Sequence, residues 1–361
     1  MFLLQIPRDR GSGKPTQHTI ERTTMRPSSN SDTEDVSNSI LDAHQPFKQV
    51  FSEGQLTFGL ITPLEAYANT PFPTLKDHAR MAKLVDDAGF ASIWLRDVPF
   101  FDPNFGDAGQ LLDPFVYAGY LASITKRITI GTTGIVLPLR DPVIVAKQAA
   151  SVDQLTDGRF LLGLSTGDRP SEYPAFGADF ENRDDRYRDA FRLIRELTEE
   201  DFPTRKTRHY GTLNGGLDLV PKPVRRMLPM IAVGRSRQPI EWLAQNVDAW
   251  IWSVDEASAI KDIVSALKAS SGDKAPPAYG YSTFFDLAKD PDAPPQRFYN
   301  VVRIGRKALI ERWYRQQELG VTHVALNLKP SQRPAEDVIS EMAEHVLPLF
   351  GVARDRIEEN P

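Results

Sequence analysis

ITIGTTGIVLPLRDPVIVAKQAASVDQLTDGRFLLGLSTG (128–167) reads as strand, helix, strand. Its opening belongs to a short apolar run, RITIGTT (127–133). Asp141 followed by Pro142 then opens a helix, because the carboxylate can accept the first free N–H groups and proline needs no donor there. RFLLGLS (159–165) is a second apolar strand that breaks at Thr166 and Gly167. Two short apolar strands joined by a covering helix describe a parallel pair.

The same unit recurs in both directions. LTFGL (56–60) and SIWL (92–95) flank TLKDHARMAKLVDDAGF, where Leu75, Ala79, Ala82 and Val85 keep helical spacing and Gly89 ends the run. DPFVYAGYLASIT repeats the aspartate–proline start at Asp113 and Pro114. MIAVG (230–234), AWIWS (249–253), YGYSTFFDL (279–287) and THVALNL (322–328) are four further strands. Eight strands alternating with helices predict an α/β fold, a (β/α)8 TIM barrel with insertions. An open doubly wound sheet is the alternative, and no GxGxxG turn follows the first strand to favour its dinucleotide-binding form. The insertions are 97–112 and 167–229, the second with a hairpin expected around Asn214-Gly215-Gly216.

The 361 residues are 41% hydrophobic and 25% charged, enough for this core. A net charge of −5 from 43 basic and 48 acidic residues argues against a nucleic-acid surface. With no cysteine there are no disulfides, thiolate nucleophiles or Cys-ligated metals, and no histidine spacing suggests a metal site. No apolar run approaches the roughly 20 residues of a membrane helix, and the start lacks the order of a signal peptide. A soluble, cytoplasmic protein is expected. Residues 1–45 are expected to form a disordered polar extension, 46–351 the barrel and 352–361 a short polar tail.

Ligands of such barrels bind where the strands end. After strand five, VGRSRQPIEW sets Gly234, Arg235, Ser236 and Arg237 before a helix, a pattern that suits a phosphate. Ordinary helix capping by Ser236, with both arginines in solvent, explains it too. After strand four, Ser165, Thr166 and Gly167 are short donors, followed by Glu172 and Tyr173. The alternative there is a surface loop held by Asp168–Arg169 pairing, with Tyr173 packed on Phe176. Strand two ends in Arg96 and Asp97 ahead of Phe100, Phe101 and Phe105, residues able to wall a flat ligand.

Three stretches together, GFASIWLRDVPF (89–100), the segment 128–177 that ends DRPSEYPAFG, and LPMIAVGRSRQPIEWLAQNVDAWIW (228–252), resemble the bacterial-luciferase-like flavin monooxygenase family, in its luciferase-type oxidoreductase subgroup. The resemblance runs from about Phe58 to Phe350. It implies a luciferase-like barrel holding reduced FMN, or in some branches a reduced deazaflavin coenzyme, and acting on a small organic substrate with O2. A separate flavin reductase is implied, since no nicotinamide fingerprint is present, and a homodimer is expected. Carried over, Thr133 and Asp97 face the isoalloxazine ring, and Glu172 and Tyr173 come to the ribityl-phosphate end. Gly234, Arg235 and Ser236 form the phosphate turn, with Ser165, Thr166 and Gly167 on its other side.

One departure bears on catalysis. Many oxygen-using relatives carry histidine after strand two, where this chain has Arg96-Asp97-Val98. Asp97 and Arg96 are therefore the catalytic candidates, with a buried Arg96–Asp97 bridge as the structural alternative. A deazaflavin-dependent hydride-transfer enzyme and a non-catalytic flavin-binding protein are the competing functions.

Overall fold

The computed structural model describes residues 44–298 and 301–350. The expected extension and tail lie outside these residues, except for His44 and Gln45. The barrel strands are β1 (Thr57–Ile61), β2 (Ser92–Leu95), β3 (Thr129–Thr132), β4 (Phe160–Ser165), β5 (Met230–Val233), β6 (Ala249–Trp252), β7 (Ala278–Leu287) and β8 (Val321–Asn327). Each pairs in parallel with the next, and β8 returns to β1 over Thr57↔His323 to Ile61↔Asn327. These eight close into a parallel barrel, not an open sheet, and three short strands, Ile135–Val136, Gln296–Phe298 and Val301–Ile304, extend the same sheet.

Eight helices cover it: α1 (His78–Ala88), α2 (Pro114–Ile124), α3 (Pro142–Leu155), α4 (Arg183–Glu199), α5 (Ile240–Asn246), α6 (Ala257–Ser270), α7 (Arg306–Glu318) and α8 (Ala335–His345). Asp113 accepts from the N–H groups of Phe115 and Val116, and Asp141 from those of Val143 and Ile144, as the aspartate–proline pairs predict. Gly89 caps α1 at φ 90°, whereas Leu75 lies ahead of that helix.

The hairpin in the long insertion pairs Thr204–Lys206 with Thr212–Asn214, so its turn is 207–211 and not Asn214-Gly215-Gly216. Local bonds explain the shift. Thr207 Oγ1 accepts from the Tyr210 N–H and donates to the Gly211 carbonyl, which closes that turn. Asn214 Oδ1 instead takes the Gly216 N–H and ends the strand.

Alternation along the strands separates two apolar layers. Phe58, Leu60, Ile93, Leu95, Leu162 and Leu164 pack outward under the helices, while Ile61, Trp94, Leu161, Ile231, Ile251 and Ala325 fill the interior. A short helix, Gln45–Val50, adds Phe47, Val50 and Phe51 to that interior group, and His44 caps it by accepting from the Phe47 N–H at 3.1 Å. The far end of the expected polar extension is thus part of the barrel's packing.

One polar relay crosses this apolar floor. Trp94 Nε1 donates to His323 Nε2 at 2.9 Å, which assigns the ring proton to Nδ1. Nδ1 lies 2.7 Å from Thr57 Oγ1, whose hydroxyl donates to the Val50 carbonyl at 2.6 Å. Among the described residues, no helix is long and apolar enough to cross a membrane.

Burial lowers the His323 pKa to about 3, and burial with the Arg225 charge lowers that of His44 to about 4. Both rings are therefore neutral when folded and protonate near 6.5 when unfolded. Below that value the unfolded chain binds more protons, so stability falls as pH falls towards the folded values. Urea unfolding between pH 6.5 and 5 should lose about 1.4 kcal/mol per pH unit for each ring. His323→Gln should remove one ring's share of that slope, and an unchanged slope would contradict a neutral buried His323.

Candidate active site

The strand ends at one rim enclose a cavity of about 580 Å³. Arg96, Asp97, Thr133, Ser165, Thr166 and Gly167 line it, together with Glu172, Gly234, Arg235 and Ser236. Of the residues singled out in the sequence, Tyr173, Phe100, Phe101 and Phe176 are set back from it, whereas Phe105 lines it. The loops after β4 and β5 meet because the strands are neighbours, paired through Leu164↔Ala232. Phe284 of β7 also lines it.

The strand-five turn carries open valences. Gly234, Ser236 and Arg237 take left-handed φ values of 63°, 47° and 51°. Among the described residues, the N–H groups of Arg235, Ser236 and Arg237 have no acceptor, and neither arginine has a carboxylate within ion-pair distance. Successive free N–H groups in such a turn form a concavity suited to an anion. Ser236 is not the cap of α5, which Pro239 precedes; its hydroxyl donates to the Val233 carbonyl at 3.1 Å. Engaging a ligand through that hydroxyl requires it to turn.

The strand-two end is saturated with partners. Asp97 holds Arg140 through two bonds of 2.6 and 2.8 Å and accepts the Val136 N–H at 3.0 Å. Arg140 also reaches Asp113, the cap of α2, at 3.0 Å. Arg96 pairs with Asp107, which the Tyr67 hydroxyl also reaches at 3.1 Å. Burial works against the Asp107 charge, yet Arg96 and Lys329 hold its pKa below the usual carboxylate range. The two candidates are thus bridged to different partners and not to each other.

The strand-four loop is not the surface loop held by Asp168–Arg169 pairing that stood as the alternative. Arg169 donates to the carbonyls of Phe100 and Asp107 at 3.3 and 3.1 Å, with its guanidinium 4.8 Å from the Phe105 ring centre. Tyr173 packs on Phe180, and its hydroxyl donates to the Thr166 carbonyl. It shapes the cavity wall from behind. Glu172 is 5% exposed, and its Oε1 has no hydrogen-bond partner. Burial first, then the nearby Asp97 and Asp168 charges, push its pKa up to about 7 against the pull of Arg169.

This arrangement sits on a sequence whose residues 56–346 match the family described as luciferase-like monooxygenase. The chain belongs to that family. Among its relatives, the alkanal monooxygenase alpha chain of Photorhabdus luminescens is 26% identical over 185 residues, 50% of this chain and 49% of that protein. The 4-hydroxyprotoasukamycin monooxygenase of Streptomyces nodosus subsp. asukaensis is 28% identical over 170 residues, 46% of this chain and 44% of that one. The chain thus spans about half the length of the curated relatives it matches. Two solved structures share the fold over 82% of this chain. An F420-dependent secondary alcohol dehydrogenase with an F420-acetone adduct has TM-score 0.67, 20% identity and 100% coverage of its own chain. The oxygenating constituent of 3,6-diketocamphane monooxygenase from Pseudomonas putida, with FMN, has TM-score 0.64, 14% identity and 99% coverage.

In this luciferase-like barrel, sequence reasoning missed Asp107 and Phe284, which line the cavity, and Arg140, which reaches it through Asp97. Arg140 is 43 positions from Asp97, and Asp107 is 11 from Arg96, so no short motif joins them. Asp97→Ala leaves Arg140 without its buried partner and the Val136 N–H without an acceptor. Urea unfolding should show a loss of about 3 kcal/mol. A loss below about 0.5 kcal/mol, the range of ordinary surface changes, would mean that Asp97 carries no structural role.

Proposed function

We propose that this protein is a flavin-dependent oxidoreductase, working as the oxygenase of a two-component FMN-dependent monooxygenase on a small organic substrate with O2. The observation that carries this reading is the strand-five turn, where, among the described residues, three free N–H groups lie beside two guanidinium groups without a carboxylate partner at the rim of the cavity. That donor set fits a phosphate. Bound FMN supplies the redox chemistry. Arg235, Arg237 and the turn's N–H groups would hold its phosphate, with Ser165, Thr166 and Gly167 on the facing side. Thr133 would border the ring. Arg96, fixed by Asp107, would present its guanidinium to a carbonyl or anionic group. Asp97 would act through Arg140 and Val136 by holding the loop after β3 in place. Tyr173 would do the same for Thr166.

A separate reductase belongs to this reading, as do a cytoplasmic setting and a homodimer. Exposed Val116 and Tyr120 on α2 and Ile144 on α3 offer apolar surface for a second copy. The second coenzyme reading, a deazaflavin used for hydride transfer, draws on the likeness in fold to the F420-dependent dehydrogenase. A flavin-binding protein without turnover is the remaining alternative.

Absorbance titration with reduced FMN and with a reduced deazaflavin should show tight binding of FMN. Preference for the deazaflavin would favour the second reading. Arg235→Ala combined with Arg237→Ala should weaken FMN binding about 10- to 100-fold, the worth of one or two charge-assisted hydrogen bonds. Riboflavin, which lacks the phosphate, should bind both proteins alike. Equal losses for FMN and riboflavin would remove the phosphate from this turn.

A further inference from the structure

We propose that Glu172 moves a proton to and from the ligands bound in this cavity, as the proton-transfer group of the reaction. The ligands rest on the flavin reading above; the state of the carboxyl does not.

The cavity's other buried carboxylates are already committed. Asp97 is bound by Arg140 and Asp107 by Arg96, so each already serves as the acceptor of an ion pair. Glu172 stands apart. It lines the cavity, and its Oε1 is shut off from solvent without a hydrogen bond. The nearest cation is Arg169, whose Nη1 lies 3.8 Å from Oε1, too far for a hydrogen bond. That guanidinium is turned to two backbone carbonyls instead. A buried carboxyl left in this condition favours its neutral form, and a proton donor working near neutral pH needs both forms within reach.

The groups facing it act in both directions. Asp97 from the β2 end, Asp168 from the β4 end and Asp102 from the aromatic loop disfavour its charge. Arg169, on its own loop, favours it. Arg96, Arg235 and Arg237 line the same cavity from β2 and the strand-five turn.

In the step itself, the carboxyl O–H bond breaks and the proton passes to a ligand oxygen or nitrogen that is gaining negative charge. The electron pair stays on the carboxylate, with Arg169 beside it. Water returns a proton when the ligands leave, so no oxidant or reductant enters this step.

The test uses the full chain labelled with [5-¹³C]glutamate. In the ligand-free protein, one glutamate carbon should titrate near pH 7 and disappear in Glu172→Gln and in Glu172→Asp, whose carboxyl is unlabelled. Each protein is assayed at a reduced FMN concentration that saturates it, so that a change in coenzyme affinity does not enter the rate. Reoxidation of the bound reduced FMN by O2 should show an inflection near pH 7 in wild type. Glu172→Gln should lose the inflection and slow the reaction about 100-fold, and Glu172→Asp should restore part of the rate. A Glu172 carbon titrating near 4.5, or an inflection that survives in Glu172→Gln, would overturn the proposal. Failure of wild type to bind reduced FMN or deazaflavin would instead defeat the coenzyme reading, while the carbon titration still decides the state of Glu172.

Discussion

The Trp94 indole lies across the barrel interior, and the rest of the architecture is arranged around the room it takes. A Cβ on Gly131 would sit 2.3 Å from Trp94 Cζ3, and one on Gly59 2.2 Å from Ser92 Oγ and 2.8 Å from Trp94 Nε1. Any larger residue at either position would displace backbone or the ring. The indole N–H needs a buried acceptor and finds it in neutral His323, which connects through Thr57 to the carbonyl of Val50. The lower barrel is therefore packed, with Phe47 and Phe51 among its apolar filling. Space for a ligand remains where the strands end.

At that rim the structure uses charge in two ways. Asp97–Arg140 and Arg96–Asp107 are internal pairs that tie the ends of β2 and β3 to the cap of α2 and to the aromatic loop. Pairs of this kind orient loops, and a partner removed leaves a buried charge exposed to a low dielectric. Among the described residues Arg235 and Arg237 have no carboxylate partner, and Glu172 has Arg169 at 3.8 Å but no hydrogen bond to its Oε1; all three line the same cavity. The contrast separates groups that shape the site from groups that are available to a ligand.

The strands and helix starts were legible because their causes are local. Apolar runs with turn residues mark β1 to β8, and Asp113-Pro114 and Asp141-Pro142 satisfy the first N–H groups of their own helices. The rim loops were legible as a list, since a closed barrel brings strand ends together. Their pairings were not. Whether Asp97 meets Arg96 or Arg140 depends on how the chain packs across 43 residues, and sequence neighbours gave the wrong partner. The hairpin turn was displaced for a local reason, two Thr207 side-chain bonds that outweighed the Asn-Gly signal. His44 looked like part of a polar extension, and its buried capping bond to Phe47 appears only once the barrel floor is formed.

We propose that, among the described residues, the packed floor and the paired rim leave Gly234–Arg237 as the seat for the coenzyme's phosphate. A crystal structure of the complex with reduced FMN tests it most directly. Phosphate oxygens about 3 Å from the amide nitrogens of Arg235, Ser236 and Arg237, with the ring towards Thr133, are the predicted result. A phosphate seated at Arg96 or Arg169, with the turn empty of ligand, would contradict it.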